Sequence, residues 1–183
     1  MKPETKHQPA DPARKTAHEP TLAKRVFLVE KSSDDIALTR RAILQAGYAV
    51  HLEALQTANA LIEELNNQDA QLRLQSETQR QGQPQPGPDL FLIDTSLPEL
   101  SAFKLVNNIR SNLATIHTPV VMISSGGEED IFLSYKYGAN SVIQKPVAST
   151  EYAQLLKDAC RYWLNISVMP HFKYINKAVE LLV

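Results

Sequence analysis

Leu90-Phe91-Leu92-Ile93-Asp94 is the stretch on which the fold turns. Four large apolar residues in succession leave no polar face, the pattern of a short strand covered on both sides. The turn-forming segment Pro84-Gln85-Pro86-Gly87-Pro88 precedes the run, and the run closes on a carboxylate. Two further segments share this character, Val26-Phe27-Leu28-Val29 and Pro119-Val120-Val121-Met122-Ile123, and Ser141–Gln144 reads as a shorter strand. Tyr48–Ala54, with Val50, Leu52 and Ala54 alternating, reads as another strand.

Helical patterns fill the intervals. Ser32-Ser33-Asp34-Asp35 is N-cap and first-turn chemistry, Ile36, Ile43 and Leu44 supply an apolar face, and Gly47 stands where a C-cap glycine belongs. Thr57 caps a second helix with Ala60, Leu61 and Leu65 on its face. A third runs around Phe103–Arg110 on Leu105, Val106 and Ile109. Glu128-Glu129-Asp130 places acids at the positive end of a fourth, which runs to Tyr137 and is closed by Gly138. The fifth starts near Ser149 or Thr150 and runs to about Asn165, with Leu155, Leu156, Ala159, Tyr162 and Trp163 as its face.

Five strands alternating with five helices between Val26 and Asn165 predict an α/β protein, a doubly wound, five-stranded parallel sheet with helices on both faces. Residues 1–25 hold four of the eleven prolines and few large apolar side chains, so they read as a disordered tail or a basic docking arm. Residues 66–88 are a Gln-rich polar insertion, either an overlong helix or a mobile loop; Leu72 and Leu74 are too few to define a buried face. Residues 166–183 form an extension in which Phe172, Ile175, Val179 and Leu182 recur at helical spacing.

Composition bounds the function. The 183 residues are 43% hydrophobic and 21% charged, and 19 basic against 20 acidic side chains give a net charge of −1. That balance offers nothing to nucleic acid or to an anionic membrane. No apolar run reaches a membrane span and the N-terminus has no signal-peptide core, so a soluble, cytoplasmic protein is expected. Cys160 has no disulfide partner, and its place on a helix reads as buried packing. His7, His18, His51, His117 and His171 show no ligand spacing. Ser125-Gly126-Gly127 lacks phosphate-loop spacing, and Asn165-Ile166-Ser167 lacks the secretory context of a glycosylation acceptor.

In a parallel sheet of this kind, the ligand site lies beyond the carboxyl ends of the strands. Those ends are Glu30-Lys31, Asp94, Ser124-Ser125 and Lys145-Pro146. A carboxylate flanked by ammonium groups and a hydroxyl is an apparatus for accepting a phosphoryl group: Asp94 as nucleophile, a lysine, Lys31 or Lys145, against the phosphoryl oxygens, Ser124 as hydrogen-bond donor. Glu30 would help to hold a divalent cation.

These residues carry a resemblance. Val26–Glu30, Pro88–Asp94 with Leu97-Pro98, Val120–Ser124, and Gly138-Ala139-Asn140 leading to Lys145-Pro146 resemble, in order, the motifs of a response-regulator receiver domain. The insertion before the third strand, the Phe132–Tyr137 helix and Tyr162-Trp163-Leu164 are most similar to single-domain regulators that partner bacterial phytochromes and related sensor kinases. The resemblance implies a flavodoxin-like strand order 2-1-3-4-5 and a signalling domain rather than an enzyme. It also implies a phosphoryl group received on Asp94 from a histidine kinase or phosphotransfer protein, with Mg²⁺ at the site.

Three departures qualify it. Lys31 stands where the family has a second acid, Ser101-Ala102 where it has an Asp-Gly turn, and Val142 where it has an aromatic switch residue. Glu30, Asp94, Lys31 and Lys145 together sum to zero formal charge, so Mg²⁺ binding, through Glu30 and Asp94, is expected to be weak or absent. With Val142 in place of a ring, the readout is expected to be small, and a homodimer or a kinase-docking face, largely present before phosphorylation, is expected through the fourth helix, fifth strand and fifth helix. The alternatives are a pseudo-receiver that works by contact without phosphorylation, and a flavodoxin-like enzyme or flavin carrier, which would need a phosphate-binding loop after the first strand.

Overall fold

The computed structural model describes residues 23–78, 87–98, 101–112 and 114–170. Its order is β1 (Lys24–Val29), α1 (Ser33–Gln45), β2 (Val50–Leu55), α2 (Ala58–Thr78), β3 (Leu90–Asp94), α3 (Ser101–Ser111), β4 (Val120–Ser124), α4 (Glu128–Lys136), β5 (Ser141–Gln144) and α5 (Ser149–Arg161). The sheet is parallel throughout, in the order β2-β1-β3-β4-β5.

Side-chain alternation along each strand divides the core in two. Phe27, Val29, Phe91, Ile93, Val120 and Met122 face α2 and α3, where Leu61, Leu105, Val106 and Ile109 meet them. Val26, Leu28, Leu90, Leu92, Val121 and Ile123 face α1 and α5, where Ala42, Ile43, Tyr152, Leu156 and Cys160 meet them. Phe27 and Phe91 stack at 5.9 Å between centroids, which aligns the two central strands.

The helix ends follow the local chemistry. The Ser32 hydroxyl accepts the Asp35 N–H at 3.3 Å, and the Thr57 hydroxyl accepts that of Ala60 at 3.1 Å. Gly47 and Gly138 have φ of 75° and 97°, the left-handed conformation that ends α1 and α4.

Several boundaries and faces differ from expectation. β1 begins at Lys24, because Asp89 accepts both the Lys24 ammonium and the Arg25 N–H at 2.8 Å and so pins the strand start. Lys24 and Arg25, expected in the tail, thus belong to β1, and residues 1–22 lie outside the described residues. In the 66–88 segment the helix continues to Thr78. Leu44 is 69% exposed, and the buried face of α1 is Thr39, Ala42 and Ile43. On α5 the buried side chains are Tyr152, Leu156 and Cys160, four residues apart, so Leu155 and Tyr162 turn outward. Trp163 packs edge-on against Tyr162 at 4.9 Å and is half-buried. α5 widens into a π-helical turn at Tyr162–Ile166, closed by the Ser167 N–H on the Tyr162 carbonyl. The stripe from Phe172 to Leu182 lies outside the described residues.

Candidate functional site

Four strand ends meet at one rim of the sheet. Glu30 follows β1, Asp94 closes β3, Ser124 closes β4 and Lys145 follows β5. Alternation decides which of them meet. Glu30 continues the Val26-Leu28 face, Asp94 the Leu90-Leu92 face and Lys145 the Ile143 face, so all three turn toward α1 and α5. Ser124 continues the Val120-Met122 face and turns toward α4.

The Lys145 ammonium is the hub. It donates to Asp94 Oδ2 at 2.7 Å, to Asp35 Oδ2 at 2.9 Å and to Glu30 Oε2 at 3.1 Å. It also lies 5.4 Å from the centroid of the Tyr152 ring. Asp94 is fully buried, and its second oxygen, Oδ1, accepts the Ser96 N–H at 2.7 Å and the Ser96 hydroxyl. Glu30 Oε1 accepts the Ser32 N–H at 2.8 Å. The turn after β1 is therefore tied to a carboxylate and is not a phosphate-binding loop, which removes the basis of the flavin-carrier alternative.

Burial alone would raise the Asp94 carboxyl, but the Lys145 and Ser96 hydrogen bonds outweigh it and hold the group below the usual range. Glu30 is pushed up, first by burial and then by the neighbouring Asp94 charge. Lys145 would be lowered by burial, yet Asp94, Asp35 and Glu30 raise it well above the ordinary lysine value.

Two expectations need correction. Asp35, read only as a first-turn acid, is a member of the site: the Ser32 cap starts α1 just beyond β1, and the first turn lays Asp35 against Lys145. Three carboxylates against one ammonium leave this cluster at a formal −2, not zero. Lys31 does not join it. Its ammonium lies on the exposed side and donates to the Ser96 carbonyl at 2.8 Å. Sequence reasoning also missed Ser96, Thr95 and Asp130. An acid three residues past the N-cap of the helix that leaves the rim was the available signal for Asp35; nothing local marked the others.

The divalent cation implied by the resemblance does not fit this donor set. Glu30 Oε2, Asp35 Oδ2 and Asp94 Oδ2 are all held by Lys145, and the Ser96 carbonyl is held by Lys31. Among the described residues, no group of three or more His, Cys, Asp or Glu is placed to hold a metal ion. A hard cation needing near-octahedral oxygen ligation would have to displace a resident ammonium.

Ser124 is fully buried, and its hydroxyl donates to Asp130 Oδ2 at 3.0 Å while accepting the Gly126 N–H at 3.0 Å. Val142 is paired in register with Met122 and packs, partly buried, against the core cluster on that face. Beside it an open cleft of about 510 Å³ is lined by Ser124, Gly126, Gln144, Pro146 and Leu155, among others.

This architecture has many relatives. The chain is similar to the phosphorylated cyanobacterial phytochrome response regulator RcpA, at 27% identity and a TM-score of 0.61, with 81% of this chain and 99% of that one covered. It shares its fold with the Mn²⁺-bound form of response regulator Rcp1, at 22% identity, a TM-score of 0.63 and the same coverage of each chain. Among curated proteins it is 33% identical over 75 residues to the phosphate regulon transcriptional regulatory protein PhoB of Pseudomonas aeruginosa, a match that takes in 40% of this chain and a third of that protein's length. It is 23% identical over 146 residues to the probable methanogenesis regulatory protein FilR2 of Methanothrix harundinacea, covering 79% of this chain and 86% of that protein. The family model for the response regulator receiver domain matches residues 26–157. The match runs from β1 into α5 and takes in every strand end of the rim, and on it this chain belongs to the response regulator receiver domains of two-component signalling.

Proposed function

We propose that this chain receives a phosphoryl group on Asp94 from a sensor histidine kinase or phosphotransfer protein in the cytoplasm and relays the signal by protein contact. The observation that carries the reading is the Lys145 ammonium 2.7 Å from the buried Asp94 carboxylate oxygen, with Ser124 closing the next strand. In the step, an Asp94 oxygen forms a bond to phosphorus as the P–N bond of a phosphohistidine breaks. The electron pair stays on the imidazole nitrogen, which takes up a proton. Lys145 meets the phosphoryl charge and Ser124 donates to one of its oxygens. Any turnover is limited to hydrolysis of the chain's own acyl phosphate.

Incubation with phosphoramidate and measurement of intact mass tests this. One added phosphoryl group is expected, and none in Asp94→Asn. Labelling that persists in Asp94→Asn refutes the assignment.

One observation favours a second reading, a pseudo-receiver that works without phosphorylation. Asp94 is wholly buried, both of its oxygens are engaged, and Lys31 holds the Ser96 carbonyl at the rim. Absence of labelling in the native chain would favour this reading.

In either case the contact surface we infer is built on α4, β5 and α5. Phe132, Tyr135, Leu155 and Tyr162 are exposed there. A second copy of the chain is the proposed occupant, and a stable C2 interface needs about 1,200 Å² or more in total. Sedimentation at micromolar concentration distinguishes this dimer from a monomer. Among the described residues no helix is long and apolar enough to cross a membrane.

A further inference from the structure

Asp130, in the first turn of α4, sits between two strand ends. Its Oδ2 accepts the Thr95 hydroxyl, next to Asp94, at 2.8 Å and the Ser124 hydroxyl at 3.0 Å. A serine hydroxyl has one proton to donate. That proton is committed to Asp130, and the Gly126 N–H occupies the acceptor side of the same oxygen. Ser124 therefore cannot donate to a phosphoryl group on Asp94 without leaving Asp130.

Gly126 makes the arrangement possible. A Cβ at this position would fall within 2.6 Å of the Asp130 carboxyl carbon. The backbone of Gly126 is not left-handed, so the glycine here supplies space and not conformational freedom.

We propose that Asp130 is a positioning residue that holds the site in its unphosphorylated arrangement by competing for the Ser124 proton, and that its release at phosphorylation frees the start of α4. The proposal rests on the reading of Asp94 as acceptor. It gives the protein a route from the site to α4 that does not need a ring at Val142. When Ser124 turns to the phosphoryl oxygens, Asp130 keeps only Thr95, and the first turn of α4 loses its tie to β4.

The test uses the full chain and phosphoryl occupancy, measured by intact mass across a range of phosphoramidate concentrations. Asp130→Ala should reach half-occupancy at about tenfold less phosphoramidate, the change produced by about 1.4 kcal/mol. Gly126→Ala, which keeps every charge but evicts the carboxyl, should shift the same way. In a Ser124→Ala background, Asp130→Ala should produce no further shift, because the competition is gone. A purely structural or purely electrostatic role for Asp130 would survive Ser124→Ala. If Asp130→Ala fails to fold, as judged by its thermal transition, Gly126→Ala alone and in the Ser124→Ala background carries the test. Native labelling with half-occupancy unchanged in the variants, or a shift that persists without Ser124, overturns the proposal. Absence of labelling in every form refutes the acceptor reading, and this proposal with it.

Discussion

The Lys31 ammonium donates to the Ser96 carbonyl at 2.8 Å, on the exposed side of the rim. It bridges the turn after β1 and the loop after β3 and puts a fixed positive charge on a backbone oxygen beside the buried Asp94. The receiver fold is kept, but Lys31 stands where the resemblance implies a second acid, and its charge opposes a divalent cation at this rim.

Lys31→Asp should therefore bind Mg²⁺ at least about tenfold more tightly than the native chain, about 1.4 kcal/mol for replacing a repelling charge by a ligand. Titration calorimetry of the two proteins checks this. Equal or tighter binding by the native protein would show that Lys31 does not control the metal.

Lys145→Ala should destabilise the protein by about 3 kcal/mol at neutral pH, since three carboxylates lose their common partner. The pH dependence has a definite sign. In the native protein Asp94 is held below 3.8, so its contribution is present above that value and is lost as pH falls beneath it. Lys145 is held above 10.5, so its contribution is present below that value and is lost as pH rises beyond it. Between these limits both contribute. Without the ammonium, burial is left to raise the Asp94 and Glu30 carboxyl groups, and their neutral forms favour folding. Urea denaturation should then show a smaller deficit for the variant at pH 5 than at pH 8.

Cys160 is fully buried, and burial pushes its thiol from 9.0 up to about 12. Native protein at pH 8 should alkylate with iodoacetamide on the order of 10³-fold more slowly than unfolded protein, because only the thiolate reacts. Mass spectrometry along a urea gradient should show labelling that follows the unfolding transition. Fast labelling of the folded chain would mean that α5 opens locally.

Arg110, at the end of α3, donates to the carbonyls of Ile116, Thr118 and Gly138 and to Asn140 Oδ1, with distances from 2.6 to 3.1 Å. It ties α3, the approach to β4 and the α4–β5 turn together. Arg110→Ala should lose about 2–3 kcal/mol, as three part-buried carbonyls lose this donor. Lys at this position should recover little, since a point charge cannot reproduce the planar fork. Thermal unfolding of both variants provides the comparison.

The division of labour between local and distant information is visible in particular residues. The sequence by itself determined the strands through the unbroken apolar runs at Val26–Val29, Leu90–Ile93 and Val120–Ile123, whose burial is complete or nearly so. It determined the helix ends through Ser32, Thr57, Gly47 and Gly138, because capping and left-handed backbone act within a few residues. It also determined that Glu30, Asp94, Ser124 and Lys145 stand at strand ends. Only the tertiary structure decided what each of them touches. Lys145 reaches Glu30 across 115 positions of sequence, Lys31 reaches Ser96 across 65, and Thr95 reaches Asp130 across 35. At the rim each polar group has several partners within reach, and the choice depends on strand register, on the face to which alternation turns each side chain, and on where α1 and α4 begin. A one-residue change in register exchanges the two faces of a strand, so a local pattern fixes that a residue is at the site but leaves its hydrogen-bond partner to the packing of the sheet.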